Sequence, residues 1–400
     1  MAEKLVLAYS GGLDTSVAIR WLQEKYNVDV ITLTADLGNL DDMDEIKQRA
    51  LDTKAIAAEV RDGRDEFLKD FVWPALQANA LYQGVYPLAT ALGRPLIAKM
   101  LVEVARLHGA TMVAHGCTGK GNDQVRLDVG IASLAPDLKV LAPAREWGMT
   151  RDEEIAYAQK NDISVFNANK QFSTDENLWG RSIEAGPLEN PWSEPPEEAY
   201  LWTKAVADTP DASEYTEIDF DQGLPIAIDG TKLDPIQIVN LISERAGNHG
   251  IGRIDHIEDR LVGIKSREVY EAPAAAVLIP AHQALEAMTL TREQLRFKEH
   301  VSRDYADLTY NGLWYSSHRN DLQAYIKSTQ THVSGTVRVK LYKAKATVVG
   351  VRSPNALYQH DLATYGDGDL FDQSASPGFI HLWGLPNRVQ AQIQGNSDQS

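Results

Sequence analysis

Two glycine-rich segments carry the side chains best suited to chemistry. Residues 8–16 read Ala8-Tyr9-Ser10-Gly11-Gly12-Leu13-Asp14-Thr15-Ser16, directly after an apolar run. Glycines let a backbone approach an anion closely, Ser10, Thr15 and Ser16 add hydroxyl donors, and a helix starting here aims free N–H groups at the ligand. A phosphate fits such a cradle, with Asp14 suited to capping the helix or holding a metal. A plain strand-to-helix turn is the alternative, but Ser-Gly-Gly-x-Asp-Thr is more specific than a bare Gly-Gly turn. The second segment, residues 116–126, reads Gly116-Cys117-Thr118-Gly119-Lys120-Gly121-Asn122-Asp123-Gln124-Val125-Arg126. Asn122 and Asp123 suit an ammonium and a carboxylate, and Arg126 offers a fork of donors to a carboxylate, so a zwitterion is the ligand expected here. A solvated turn capped by Asn122 or Asp123 is the alternative. Cys117 reads as a small buried residue rather than a nucleophile.

Positioning these loops requires strands that end in them. Short β-branched runs at 4–9, 28–34, 55–60, 111–115 and 138–142 alternate with amphipathic stretches at 14–26, 41–52, 65–80, 95–108 and 150–161, which predicts a parallel sheet covered on both faces. Asp14, Asp41 and Thr150 are placed to cap helices. Around 167–198 the texture turns polar and rich in Pro, Asn, Trp and Glu, the expected crossing to a second domain. Strands at 215–220, 225–228, 333–343 and 346–351 then mix with helices at 235–246, 274–289, 292–310 and 313–329, an α+β pattern. The fold class expected is α/β: an N-terminal doubly wound parallel-sheet nucleotide-binding domain (1–166), an α+β synthetase and multimerisation domain (167–365), a C-terminal oligomerisation helix (366–387) and a disordered Gln/Asn/Ser tail (388–400).

In the 400 residues, 39 basic against 56 acidic side chains leave a net charge of −17, which argues against a nucleic-acid scaffold. Anionic ligands must then be met by local cations, of which Arg94, Lys99, Lys120, Arg126 and Arg181 are candidates. No apolar run is long enough to span a bilayer, and a single cysteine fits a reducing cytoplasm, so a cytoplasmic protein without membrane partners is expected.

The chain holds no Gly-x-x-x-x-Gly-Lys-(Ser/Thr), so a site cutting the β–γ bond of ATP has no support. The first loop instead resembles that of the ATP pyrophosphatase group, which adenylates a carbonyl or ureido oxygen while the loop holds the leaving pyrophosphate. Taken together, residues 8–16 and 116–126, Tyr86-Pro87-Leu88-Ala89-Thr90-Ala91, the block from Asp175 to Ser182, Arg260 to Arg267 followed by Tyr270-Glu271-Ala272-Pro273, Tyr310 to Trp314 and Gly384-Leu385-Pro386 resemble the argininosuccinate synthase family. The likeness runs from residue 4 to about 385.

The resemblance implies joining L-citrulline to L-aspartate with ATP through a citrullyl-adenylate, releasing AMP and pyrophosphate, in arginine biosynthesis. It implies ATP on Ala8, Tyr9, Ser10, Gly11, Gly12, Leu13, Asp14, Thr15, Ser16, Ala35 and Gly116. Citrulline falls to Tyr86, Thr90, Asn122, Arg126, Ser173, Ser182, Glu258 and Tyr270, and aspartate to Thr118, Asn122 and Asp123. It further implies Mg²⁺, with ligands unassigned, and a homotetramer. No side chain stands out as a general acid or base, so alignment and electrostatics would carry catalysis. Three positions depart from the family pattern: Ala91 where some members carry a hydroxyl, whose citrulline contact would be absent or pass to Thr90; Leu127 in place of Phe, expected to alter packing rather than chemistry; and Glu268 in place of Gly, expected to affect how its loop meets a neighbouring subunit.

Two other readings fit these residues less well. A tRNA-thiolating enzyme with a related first loop needs a sulfur-carrying cysteine and a basic face, and one cysteine with −17 argues against it. A regulatory module that binds ATP without turnover leaves the second loop, Ser182, Glu258 and Tyr270 without a task.

Overall fold

The computed structural model describes residues 2–38, 42–164 and 171–395. Asp41, residues 167–170 of the expected domain crossing and the last five residues of the expected tail lie outside them.

Five parallel strands form the first sheet: β1 (Glu3–Ala8), β2 (Val28–Asp36), β3 (Ala57–Asp62), β4 (Met112–Ala114) and β5 (Lys139–Leu141), in the order β3-β2-β1-β4-β5. Leu5, Val6 and Leu7 of β1 are wholly buried because both faces of a parallel sheet are covered; Val6 packs into one core, and Leu5 and Leu7 into the other. The order reverses between β1 and β4, the switch point where open α/β sheets leave a crevice beyond the strands' carboxyl ends. Both glycine loops leave from that point.

Helices α1 (Leu13–Tyr26), α2 (Met43–Asp52), α3 (Ala89–His108), α4 (Asp123–Leu134) and α5 (Arg151–Lys160) cover this part. Gly12 is the N-cap of α1 and makes no side-chain cap, so Asp14 lies in the first turn rather than at the cap. Asp42 caps α2, and Thr150 with Glu153 forms a capping box on α5. Two readings are corrected here. The helix expected from 95 begins at Ala89 and runs through Pro95, which brings Thr90 and Arg94 onto it. The end of the second glycine segment, read as loop, is the first turn of α4.

The rest of the larger compact unit, which ends at Asn355, holds two antiparallel sheets. One has four strands: β6 (Ser173–Asn177), β7 (Gly180–Glu184), β11 (Arg253–Asp259) and β12 (Lys265–Glu271), ordered β11-β12-β7-β6. The other has five: β8 (Glu214–Asp221), β9 (Leu224–Ile228), β10 (Thr231–Lys232), β13 (Gly335–Tyr342) and β14 (Lys345–Arg352). Strands β6 and β7 lie where only a domain crossing was expected. Of the helices α6 (Pro235–Asn248), α7 (Pro273–Thr289), α8 (Arg292–Tyr310) and α9 (Ser317–Thr329), the apolar α7 packs on β14 and on β13, and Val337, Val339 and Leu341 of β13 are buried.

Residues 356–395 form a separate unit with helices α10 (Ser376–Trp383) and α11 (Leu385–Gln394). Helix α11 runs through positions 388–394, read from sequence as disordered tail. Leu385, Val389 and Ile393 recur every four residues, an apolar stripe that the polar composition of the segment hides.

Candidate active site

The first loop extends the ladder of β1: Tyr9 N donates to Leu33 O at 2.8 Å, and Thr34 Oγ1 donates to Tyr9 O at 3.0 Å. Its hydroxyls then link among themselves, Tyr9 OH with Ser16 Oγ at 3.0 Å and Ser10 Oγ with Thr15 Oγ1 at 3.2 Å. Gly11 sits at φ +77°, a conformation that suits glycine. The free N–H groups and positive end of α1 therefore open beside a row of hydroxyls. Ala35 lies two residues past Leu33, the β2 partner of Ala8.

The second loop meets the first. A Cβ at Gly116 would lie 3.0 Å from Thr15 Cγ2, so the contact leaves little room for a side chain. His115 just before it is buried; its Nδ1 accepts from Cys117 N at 3.2 Å, so Nε2 carries the proton bonded to Asp128 at 2.6 Å. This histidine shapes the loop's backbone. Burial pushes the Cys117 thiol up to about 12, which leaves it protonated and unreactive at neutral pH.

Beyond the glycines the side chains converge. Asp123 accepts from Arg94 Nη2 at 2.7 Å and Arg126 Nη1 at 2.8 Å. Burial alone would raise its carboxyl, but the two guanidinium groups outweigh burial and hold it at about 2. Arg94 also donates to Asp175, whose pKa burial and the neighbouring Asp123 charge push up. Arg126 is 4% exposed; its Nε donates to Tyr310 O at 2.9 Å, and its guanidinium lies 4.7 Å from the centre of the Tyr310 ring. Its Nη2 is buried with no hydrogen-bond partner among the described residues. A buried donor left over on a guanidinium is costly unless something accepts from it. A ligand carboxylate is the acceptor that its planar fork matches best.

The four-stranded sheet supplies the opposite wall. Side chains alternate across a strand, and the register pairs Glu258 with Ser266, Tyr270 with Ser182, and Ser182 with Asp175. One face therefore presents Ser173, Asp175, Ser182, Glu184, Glu258, Ser266, Glu268 and Tyr270. Glu258, 2% exposed, accepts from Tyr270 OH at 2.7 Å and from Tyr310 OH. Burial would raise its pKa, but His256 Nε2 at 3.4 Å and the hydrogen bonds from Tyr310 and Tyr270 prevail and lower it. Tyr86 stacks on Tyr270 at 4.1 Å and shares its hydroxyl with Thr90 Oγ1 at 2.9 Å. Asn122 braces the two walls, its Nδ2 donating to Tyr310 OH at 2.7 Å and its Oδ1 accepting from Leu261 N at 2.9 Å.

The Arginosuccinate synthase N-terminal HUP domain matches residues 4–164, and the Arginosuccinate synthase C-terminal domain matches residues 172–390. The chain belongs to the argininosuccinate synthase family. It is similar to proteins named argininosuccinate synthase from Dehalococcoides mccartyi, 60% identical over 98% of this chain and 97% of that one, and from Acaryochloris marina, 57% identical over 98% and 99%. A third, from Brevibacillus brevis, is 55% identical over 98% and 94%.

Within this member of the argininosuccinate synthase family, Tyr86, Thr90, Asn122, Asp123, Arg126, Glu258 and Tyr270 form one connected cluster. Ser182 donates to Asp175 O at 3.3 Å on the same sheet face, and Ser173 lines an adjoining cavity of about 620 Å³ with Glu184, Arg260 and Ser266. Thr118 is exposed on the outer turn of its loop. Of the candidate cations, Arg94 and Arg126 are in the cluster. Lys99 pairs with Glu66 and Glu103 on α3, Lys120 is exposed, and Arg181 lies on the other sheet face, bonded to Glu271 and Ala199 O. The departures fall out simply. Ala91 and Leu127 are buried, and Thr90 occupies the Tyr86 hydroxyl. Glu268 is 5% exposed and accepts from Arg260 at 2.8 Å and Ser266 at 2.6 Å, so it faces the cleft of its own chain. Sequence reasoning missed Tyr310, Tyr82 and Asp175 as cluster members. Tyr82 stacks on Tyr310 at 3.5 Å, across more than two hundred residues of chain, and no local spacing signals that.

Proposed function

We propose that citrulline and aspartate are joined in the cleft between the two glycine loops and the four-stranded sheet. The reaction is the ATP-dependent ligation of L-citrulline with L-aspartate to argininosuccinate, releasing AMP and pyrophosphate, a step of arginine biosynthesis. The ureido oxygen of citrulline attacks the α-phosphorus and pyrophosphate leaves. The aspartate amine then attacks the ureido carbon of the citrullyl-adenylate, losing a proton as AMP departs.

In this assignment residues 8–16, with Ala35 and Gly116, hold ATP, and the loop's N–H groups and hydroxyls receive the charge that builds on the leaving pyrophosphate. Tyr86, Thr90, Asn122, Arg126, Ser173, Ser182, Glu258 and Tyr270 hold citrulline, and Thr118, Asn122 and Asp123 hold aspartate. The observation that supports it most is the unspent Nη2 of Arg126, a buried donor matched to an amino-acid carboxylate. Asp123 and Glu258 stay ionised and so suit ammonium and ureido N–H donors. Mg²⁺ bound with the triphosphate would neutralise charge on its oxygens; among the described residues no three His, Cys, Asp or Glu side chains converge as a metal site, and Asp14 is bonded to Arg151.

Phosphorus NMR with Mg-ATP, citrulline and aspartate, omitting each amino acid in turn, tests the reading. AMP and pyrophosphate at steady state only with both amino acids is the expected result; ADP and phosphate would overturn it.

We also infer a cytoplasmic homotetramer. Among the described residues no helix is long and apolar enough to cross a membrane, and a lone cysteine fits a reducing compartment. Within the C-terminal unit Phe379, Ile380, Leu382, Trp383 and Ile393 are each at least 62% exposed, an apolar surface suited to a second copy of the chain. Light scattering on the intact protein and on Trp383→Glu checks this, with dissociation of the variant expected.

A further inference from the structure

The Gly11–Gly12 peptide is the part of the first loop most easily turned over, because flipping a peptide rotates ψ of the first residue and φ of the second, and glycine tolerates the results on both sides. Something must hold it. Arg49, on α2 and 38 residues away in sequence, donates from Nη1 to Gly11 O at 2.7 Å. Its other terminal nitrogen, Nη2, is tied to Glu45 Oε1 at 2.7 Å, one helical turn earlier, and the side chain is 17% exposed. A trans peptide points its C=O and N–H in opposite directions. A guanidinium on the Gly11 carbonyl therefore turns the Gly12 N–H away from α2, toward Ser10 Oγ, to which it donates a long hydrogen bond at 3.4 Å that a phosphate oxygen on the same side can take over. A Cβ at Gly11 would lie only 3.2 Å from the same Nη1, so the glycine is also what lets Arg49 come this close. Among the described residues a second cation bonded to the loop, Arg151, goes to the Asp14 carboxylate and Glu154 instead of the backbone.

We propose that Arg49 is a positioning residue for adenylate formation: it latches the Gly11–Gly12 peptide so that the Gly12 N–H faces the departing pyrophosphate. The proposal rests on the reading of residues 8–16 as the triphosphate loop. Arg49 acts through the peptide, so its loss is felt where charge develops on pyrophosphate and little at the amino-acid sites.

Arg49→Met is expected to lower kcat for pyrophosphate release by about 10²-fold, the scale of one lost oxyanion donor, and to raise the pyrophosphate inhibition constant by about tenfold. KM for citrulline and aspartate stays within about threefold, since those contacts are uniform between ground and transition states. Arg49→Lys keeps a donor within reach of Gly11 O and recovers much of the rate, which a purely structural role on α2 does not require. Ser10→Ala, measured in parallel, separates the two layers. If Ser10→Ala leaves pyrophosphate inhibition unchanged, the triphosphate reading of the loop falls. If Ser10→Ala weakens it and folded Arg49→Met does not, the latch alone is overturned. Should Arg49→Met not fold, Glu45→Gln carries the test: removing the charge that anchors Nη2 raises the pyrophosphate inhibition constant at constant citrulline KM, and a wild-type value overturns the proposal.

Discussion

Two buried polar clusters bridge the parallel-sheet part of the chain and the residues beyond 172, and they differ in how fully their donors are used. In one, Asn79, His282, Glu286, Lys298 and Gln330 meet. Asn79 Nδ2 and Gln330 Nε2 donate to Glu286 at 2.6 and 2.7 Å, Lys298 donates to Glu286 and to Gln77 O, and both His282 nitrogens face amide oxygens. None of their buried side-chain N or O atoms lacks a partner among the described residues. In the other, Arg126, Glu258 and Tyr310 are as deeply buried while Arg94, Asp123 and Asp175 are partly exposed, and Arg126 keeps one buried nitrogen unspent. A closed network is self-sufficient and serves the fold; one left a donor short is completed by something that arrives.

The comparison breaks most visibly at Arg126. Arg126→Ala removes the unspent donor and leaves Asp123 with Arg94 alone, so kcat/KM for citrulline should fall by about 10³-fold, within the range for truncating one partner of a buried charged pair. KM for ATP should stay near wild type. Steady-state kinetics with each substrate varied checks this, and unchanged citrulline kinetics would remove Arg126 from the site.

How far these clusters could be read in advance follows from where their residues sit. Residues 8–16 and 116–126 stand out because the apolar runs at 5–8 in β1 and Met112–Ala114 in β4 are each followed within three residues by glycine, a local signal. The four-stranded sheet left no such signal. One of its faces is turned to the cleft, so Ser173, Asp175, Ser182 and Glu184 occupy positions where a core sheet would show apolar residues, and the stretch reads as a linker. Helix α4 was hidden for a different reason. Gly130 interrupts its pattern, and the structure shows why: a Cβ there would come within 3.1 Å of Ala98 Cβ, so glycine lets α4 approach α3. The roles proposed for Ser173, Ser182, Glu258 and Tyr270 rest on family resemblance, since residues so distant in sequence meet only after folding.

The complete cluster gives the converse test. Lys298→Met strands the Glu286 carboxylate, which is 2% exposed, beside a neutral side chain. Breaking a buried ion pair from one side typically costs about 3–5 kcal/mol, so a large drop in the unfolding midpoint is expected. The protein that remains folded should turn over citrulline with near wild-type KM, because no substrate contact is assigned to this cluster. Denaturant unfolding with parallel kinetics decides it; a citrulline KM that rises with the instability would mean that the closed network also shapes the site.

A third, half-open cluster sharpens the contrast at the smallest scale. Glu154, 8% exposed, lies beside Asp14 and 3.4 Å from Arg151. Burial first, and then the Asp14 charge, raise its pKa to about 7 against the opposing pull of Arg151. The unfolded value of a glutamate is about 4.3, so the folded state binds this proton more tightly. The stability contributed is full below that unfolded value and is lost as pH rises through about 7. Glu154→Gln keeps the hydrogen bond of the protonated acid and cannot ionise. Its melting temperature should therefore lack the decline that the wild type shows between about pH 5 and 8, a difference on the order of 2 °C. Melting curves of both proteins across that window measure it. Parallel curves for the two proteins would mean that Arg151 satisfies Glu154 as an ionised carboxylate, making this cluster as closed as the one around Glu286.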